Sequence, residues 1–164
     1  MPVGQFCLRE VIICDRNTPI RDVAKLMRRH HVGDLLVVDD VEGKRVPVGI
    51  VTDRDIAVSV LALDLDPTVI SAGDILSREI VTVREDQGLF DTMQLMRLHG
   101  VRRMPVVDDQ GALVGIISVD DLIQLFAEEM SELAKLISKE QAQEAQQKRW
   151  SVSETTGAAL TTKG

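Results

Sequence analysis

Residues 20 to 40 read IRDVAKLMRRHHVGDLLVVDD, and residues 89 to 109 read LFDTMQLMRLHGVRRMPVVDD. The two stretches align without a gap. Leu26-Met27 falls on Leu95-Met96, Val32 on Val101, and Val37-Val38-Asp39-Asp40 on Val106-Val107-Asp108-Asp109. Each copy runs on into a second matching block, VGIVTDRDI at 48–56 and VGIISVDDL at 114–122. Ile20 matches Leu89 at an offset of 69, whereas Val48 matches Val114 at 66, because the first copy carries three extra residues between Val41 and Val46. A duplication of this kind points to two similar units packed face to face. The cleft between them is the easiest place to build a ligand site.

Inside each copy the hydrophobic period changes twice. Thr18-Pro19 reads as an N-cap and first helical residue, and Ile20, Val23, Ala24 and Met27 follow at helical spacing. The helix gives way near His30-His31-Val32-Gly33 to a short strand, Leu35 to Val38, a turn marked by Asp39, Asp40 and Gly43, and a strand from Val48 to Val51. Thr52 or Asp53 then caps a second helix through Ile56 and Val60. The second copy repeats the order: a strand Ile80 to Val83, a helix from about Gln87 to His99, strands Met104 to Val107 and Leu113 to Ile117, and a helix opening at Ser118. The predicted fold class is α+β, with two pseudo-twofold-related β-α-β-β-α repeats followed by a C-terminal helix. The boundaries are 8–62 and 76–126 for the repeats, 63–75 for a linker, 127–148 for the helix and 149–164 for a disordered tail. Val37 and Val106, at equivalent positions, should both be buried.

The chain has 164 residues, enough for one body with a real core. Its apolar content is aliphatic: there is no Tyr and only one Trp, Trp150. A net charge of -7 argues against general nucleic-acid binding, which needs a basic surface. No apolar run reaches the length of a membrane span, and the start, MPVGQFCLRE, does not read as a signal peptide. Cys7 and Cys14 form no metal or redox motif and read as reduced thiols of a cytoplasmic protein. Neither a metal site nor a catalytic motif is expected, so the chain is not read as an enzyme.

Leu122, Leu125, Phe126, Met130, Leu133 and Ile137 trace one stripe along the C-terminal helix. That stripe fits a helix lying on its own subunit or a dimer contact equally well. A homodimer is expected on other grounds too. Two helices per repeat are taken to leave Ile20, Val23, Met27, Leu89, Met93 and Met96 as apolar surface, and a closed twofold pair is the commonest way to cover such a patch.

The chemistry concentrates in a repeated element. Gly49-Ile50-Val51-Thr52-Asp53-Arg54-Asp55 matches Gly115-Ile116-Ile117-Ser118-Val119-Asp120-Asp121. A hydroxyl three residues before a carboxylate at a helix start is ordinarily a capping box. Two copies facing one cleft raise a second use. The carboxylate can accept from both hydroxyls of a ribose, and the helix start favours an attached phosphate.

On these residues, together with the VVDD turns and the VRRMPVVDD junction, the chain resembles a tandem pair of cystathionine beta-synthase (CBS) domains, a Bateman module, over about residues 8 to 126. The resemblance implies a regulatory module for adenosine nucleotides, AMP, ADP or ATP, with NAD and S-adenosylmethionine as further ligands. It implies no catalytic cofactor, and signalling to an unknown effector protein. It also implies two clefts. One combines Ile50, Thr52, Arg54 and Asp55 with Ile80, Val81, Val101, Arg102 and Arg103. The other combines Ile116, Ser118, Asp120 and Asp121 with Cys7, Val11, Ile12, Val32 and Gly33. Asp34 stands where Arg103 would be expected in the second cleft, and Asp120 where Arg54 would be. Phosphorylated ligand is therefore expected to fill the Asp55 cleft first. The competing reading is a ligand-free dimeric interaction module that acts through its C-terminal helix.

Overall fold

A computed structural model of the chain describes residues 1–76 and 79–158, with side chains through Lys148. The chain divides into two compact units, Met1–Leu122 and the part from Ile123 onward. The first copy supplies β1 (Ile13–Asp15), α1 (Ile20–His30), β2 (Asp34–Val41), β3 (Lys44–Thr52) and α2 (Asp53–Ser59). The second supplies β4 (Val83–Arg84), α3 (Leu89–His99), β5 (Arg103–Val107), β6 (Leu113–Ser118) and α4 (Val119–Ala158). Two three-stranded sheets result, ordered β1-β2-β3 and β4-β5-β6. In each, a helical crossover joins a parallel pair and a hairpin joins an antiparallel pair, as those connections require. The register breaks at Val37/Val38 in one hairpin and Val106/Val107 in the other, so the duplication extends to the β-bulge.

Helices α1 and α3 end alike. His31 and Gly100 adopt left-handed φ of 54° and 64°, and the next amide closes each turn, Val32 N to Met27 O at 3.1 Å and Val101 N to Met96 O at 3.0 Å. Val37 and Val106 are both fully buried. The apolar face of α1 is buried as well: Ile20, Val23 and Met27 belong to the core, as do Leu89 and Met96 of α3. The surface assigned to these residues from sequence is thus corrected, with only Met93 of the six left exposed. Each sheet is short and needs a whole helical stripe to cover its face, which leaves none of that stripe for a partner.

The segment ahead of each repeat packs on the other repeat. Val3–Gln5 forms a single helical turn whose amides reach the second copy, Val3 N to Gln87 O at 2.7 Å and Gly4 N to Glu85 O at 2.9 Å. Ala72–Ile75 does the same on the first copy, with Ala72 N to Thr18 O and Gly73 N to Arg16 O both at 2.8 Å. Val3 and Ala72, at equivalent positions, are both fully buried. Reciprocal contacts between equivalent residues are what a twofold relation produces. Beyond its turn, the first arm pairs with β6 through Leu8 and Ile116 (2.8 and 2.9 Å).

Several sequence-based boundaries shift, each for a physical reason. α1 starts at Ile20 with Pro19 as its N-cap, because Thr18 bonds backward to Asp15. The extra residues of the first copy lengthen its hairpin: β2 runs to Val41, and Glu42-Gly43, both at positive φ, make the turn. Ile80 and Val81 fall outside β4. In the first copy Leu36 N donates to Ile12 O at 3.2 Å; the equivalent of Leu36 is Pro105, which has no N–H to give. Finally, α4 continues to Ala158, so residues 149–158, expected in a disordered tail, are helical. Extending an established helix adds one backbone bond for each residue fixed, and no proline interrupts it. The remainder of the expected tail, 159–164, lies outside the described residues.

Candidate functional site: a cleft between the repeats

β3 and β6 lie against each other where the two copies meet. Beside them opens a cavity of about 350 Å³. Its apolar wall is Leu8, Val11, Ile12, Val32, Leu36, Ile50 and Ile116, and its polar groups are Glu10, Asp34, Arg103, Ser118, Asp120 and Asp121. Every side-chain class a nucleoside needs is thus present, with aliphatics for a flat base and a hydroxyl–carboxylate pair for a sugar.

Ser118 and Asp121 are held by the first turn of α4. Ser118 N and Oγ donate to Asp121 Oδ2 at 2.8 and 2.6 Å, and Asp121 N donates to Ser118 Oγ at 3.1 Å. Thr52 and Asp55 form the matching box at α2, with Thr52 N to Asp55 Oδ2 at 2.9 Å and Asp55 N to Thr52 Oγ1 at 3.1 Å. Both corners are tied to the preceding loop, through Val119 N to Arg102 O and Asp53 N to Gly33 O, each at 2.9 Å. The capping use of the repeated element is therefore present in both copies. It occupies one carboxylate oxygen of each Asp, and among the described residues Oδ1 of Asp121 carries no hydrogen bond.

Of the second predicted set, Val11, Ile12, Val32, Ile116, Ser118, Asp120 and Asp121 line the cavity together. Cys7 and Gly33, from the same set, do not. Cys7 turns away, its Sγ 3.5 Å from Gly4 O, and Gly33 supports the Asp53 corner. Burial is the main cause that raises the Cys7 thiol pKa, and it lifts Cys14 to about 11. Leu8, Glu10 and Leu36 are wall residues that were not predicted. Leu8 and Glu10 shortly precede Val11 in sequence, but only the pairing of Leu8 with β6 turns that stretch into the cleft.

The set predicted for the Asp55 cleft is divided. Ile50 and Arg103 line the Asp121 cavity. Arg103 forms an ion pair with Asp34, and Arg102 lies 3.4 Å from Asp120. Asp34 and Arg103 are equivalent positions of the two copies, and near a twofold axis equivalent positions meet. Both arginines expected to meet phosphate beside Asp55 are thus paired with carboxylates in this structure. Arg54, Ile80, Val81 and Val101 remain outside the cavity wall. Among the described residues, no group of His, Cys, Asp and Glu could hold a metal ion, and no helix is long and apolar enough to cross a membrane.

Two repeats that exchange their leading segments and share one cleft define a tandem-repeat module. The chain belongs to the CBS-domain family, whose model matches residues 3–62 and 72–128. It is 39% identical over 113 residues to the CBS domain-containing protein YhcV of Bacillus subtilis, covering 69% of this chain and 76% of that protein. A Methanopyrus kandleri protein is 35% identical over 123 residues, 75% of this chain, and the match spans only 61% of that relative. Among solved structures, the CBS domain protein PAE2072 from Pyrobaculum aerophilum, complexed with AMP, superposes at a TM-score of 0.65 with 28% identity over 74% of this chain and 90% of that one. The CBS domain pair of protein MJ0100, in complex with 5′-methylthioadenosine and S-adenosylmethionine, superposes at 0.65 with 29% identity over 79% of this chain and 98% of that one.

Proposed function

We propose that the chain is a regulatory module, without catalytic activity of its own, that binds an adenosine-class ligand between its repeats. The observation that carries this reading is the Asp121 cavity. The aliphatic side chains of Val11, Ile12, Val32 and Ile116 sandwich the adenine, while Asp121 Oδ1 accepts from the ribose hydroxyls. The AMP, methylthioadenosine and S-adenosylmethionine complexes of related CBS proteins support the same ligand class. Because both repeats contribute to the wall, ligand binding tightens one repeat on the other, and that change is what an effector protein reads. A thermal-shift screen of AMP, ADP, ATP, NAD, adenosine and S-adenosylmethionine tests the proposal. A ligand at a hundredfold excess over its Kd adds about 2.7 kcal/mol of stability. The reading fails if none of them shifts the transition, or if Asp121→Ala leaves the shift unchanged.

The module is also proposed to pair with a second copy. Val58, Leu61, Leu63, Leu65 and Val69 form an exposed apolar run from α2 into the linker, a better basis for association than the buried faces of α1 and α3. Light scattering that finds only monomer at micromolar concentration would overturn it. A second reading, a ligand-free module that docks a partner, rests on the second unit. There α4 exposes Met130, Leu133, Leu136 and Ile137. Loss of partner binding on truncation after residue 127, with no response to any nucleotide, would favour that reading.

A further inference from the structure

We infer that the Asp121 cavity selects adenosine ligands that carry no phosphate, and that Asp34 is the residue that sets this preference. The inference rests on the proposed function and specifies the ligand of the same cavity. Among the described residues, the polar wall holds four carboxylates, Glu10, Asp34, Asp120 and Asp121, against one guanidinium, Arg103. Arg103 is bound to Asp34, and their side chains are 44% and 22% exposed, so the pair is only partly screened by water. Among the described residues Asp120 is met only by Arg102, at 3.4 Å in a well-exposed pair, and such pairs contribute little. Glu10 has no ion-pair partner among the described residues.

A phosphate entering this cleft needs a cation, and among the described residues Arg103 is the one cation on the wall. To meet the phosphate, Arg103 must leave Asp34, which becomes a bare carboxylate beside a dianion. Like charges so placed oppose binding rather than merely fail to help it. Adenosine and 5′-methylthioadenosine carry no charge and leave the Asp34–Arg103 pair intact. S-adenosylmethionine brings a sulfonium and an ammonium against one carboxylate, so its net positive charge suits the remaining acids.

Titration calorimetry with adenosine, S-adenosylmethionine and AMP on the wild type, Asp121→Ala and Asp34→Asn tests this. In the wild type, the binding event that Asp121→Ala removes should be at least about tenfold tighter for adenosine than for AMP, equivalent to about 1.4 kcal/mol. Asp34→Asn removes one negative charge and frees Arg103. It should tighten AMP by about tenfold or more, leave adenosine within about twofold, and weaken S-adenosylmethionine. Asp120→Asn, at a well-exposed site, should narrow the gap between adenosine and AMP in the same direction, which keeps the test open if Asp34→Asn folds poorly. Added salt should narrow the wild-type gap too. An Asp121-dependent event with AMP bound as tightly as adenosine, or a gap unmoved by both substitutions, overturns the charge selection while leaving the binding module standing. Absence of any Asp121-dependent event overturns the proposed function itself.

Discussion

Gly49 and Gly115 occupy equivalent positions in the two hairpins, yet an alanine should be tolerated at one and not at the other. A Cβ at Gly115 would lie 2.5 Å from the carbonyl oxygen of Leu8 and 2.7 Å from Cys7 Sγ. The carbonyl cannot rotate away, because it accepts from Ile116 N at 2.9 Å and the reciprocal bond from Leu8 N is 2.8 Å. Relief requires moving the arm. Two backbone hydrogen bonds are worth about 1 kcal/mol each, and overpacking of this kind costs about 1–3 kcal/mol, so Gly115→Ala should destabilise by roughly 3 kcal/mol. A Cβ at Gly49 would also be close, 2.4 Å from Leu76 Cδ2, but that atom is the end of a leucine that can change rotamer. Its cost is about 1 kcal/mol, and the reduced freedom of the unfolded chain, worth about 0.4–1 kcal/mol, offsets both variants alike. The two variants should differ by about 2 kcal/mol in urea unfolding, or about 8 °C in Tm for a unit of this size. Since Leu8 belongs to the cavity wall, Gly115→Ala should also weaken adenosine binding and Gly49→Ala should not. Equal destabilisation, or a larger effect at Gly49, would refute the account of the arm as a rigid backbone-paired element.

Thr52→Ala removes one half of a capping box and should cost about 1 kcal/mol in chemical denaturation. Cys14, buried and with its pKa raised to about 11 by that burial, should resist thiol reagents at pH 8 in the native protein and react fully once the chain is unfolded in urea. Deleting residues 1–8 uncovers the Val3 site on the second repeat and should lower stability by at least about 2 kcal/mol, while removing a wall of the cavity. The Asp74 carboxyl is held below its ordinary pKa by the Ser71 amide and hydroxyl, so the folded state binds its proton less readily than the unfolded one. Its contribution to stability is present above the unfolded pKa of about 4 and is lost as pH falls below it, and Asp74→Asn should flatten that part of an acid titration followed by circular dichroism.

The duplication, the β-α-β-β-α order and both capping boxes were legible in the chain because each depends on short-range chemistry. Helical and strand periods repeat within a few residues, and Ser118 needs only the residue three positions on to complete its box. The aliphatic residues of the cleft, Val11, Ile12, Val32 and Ile116, came instead from what the CBS resemblance implies for those positions, not from any period in the chain. What stayed hidden was set by distances through space. Pairing within one copy says nothing of Val3 crossing to the other repeat, or of Leu8 joining β6. Nor does it tell which face of α1 a short sheet will use up, so Ile20 and Val23 passed for surface. Aligning the copies put Asp34 and Arg103 in the same column, as substitutes for each other. Only the docking of the repeats about their twofold axis made them neighbours, and so turned a cation counted toward one cleft into the bound partner of a carboxylate in the other.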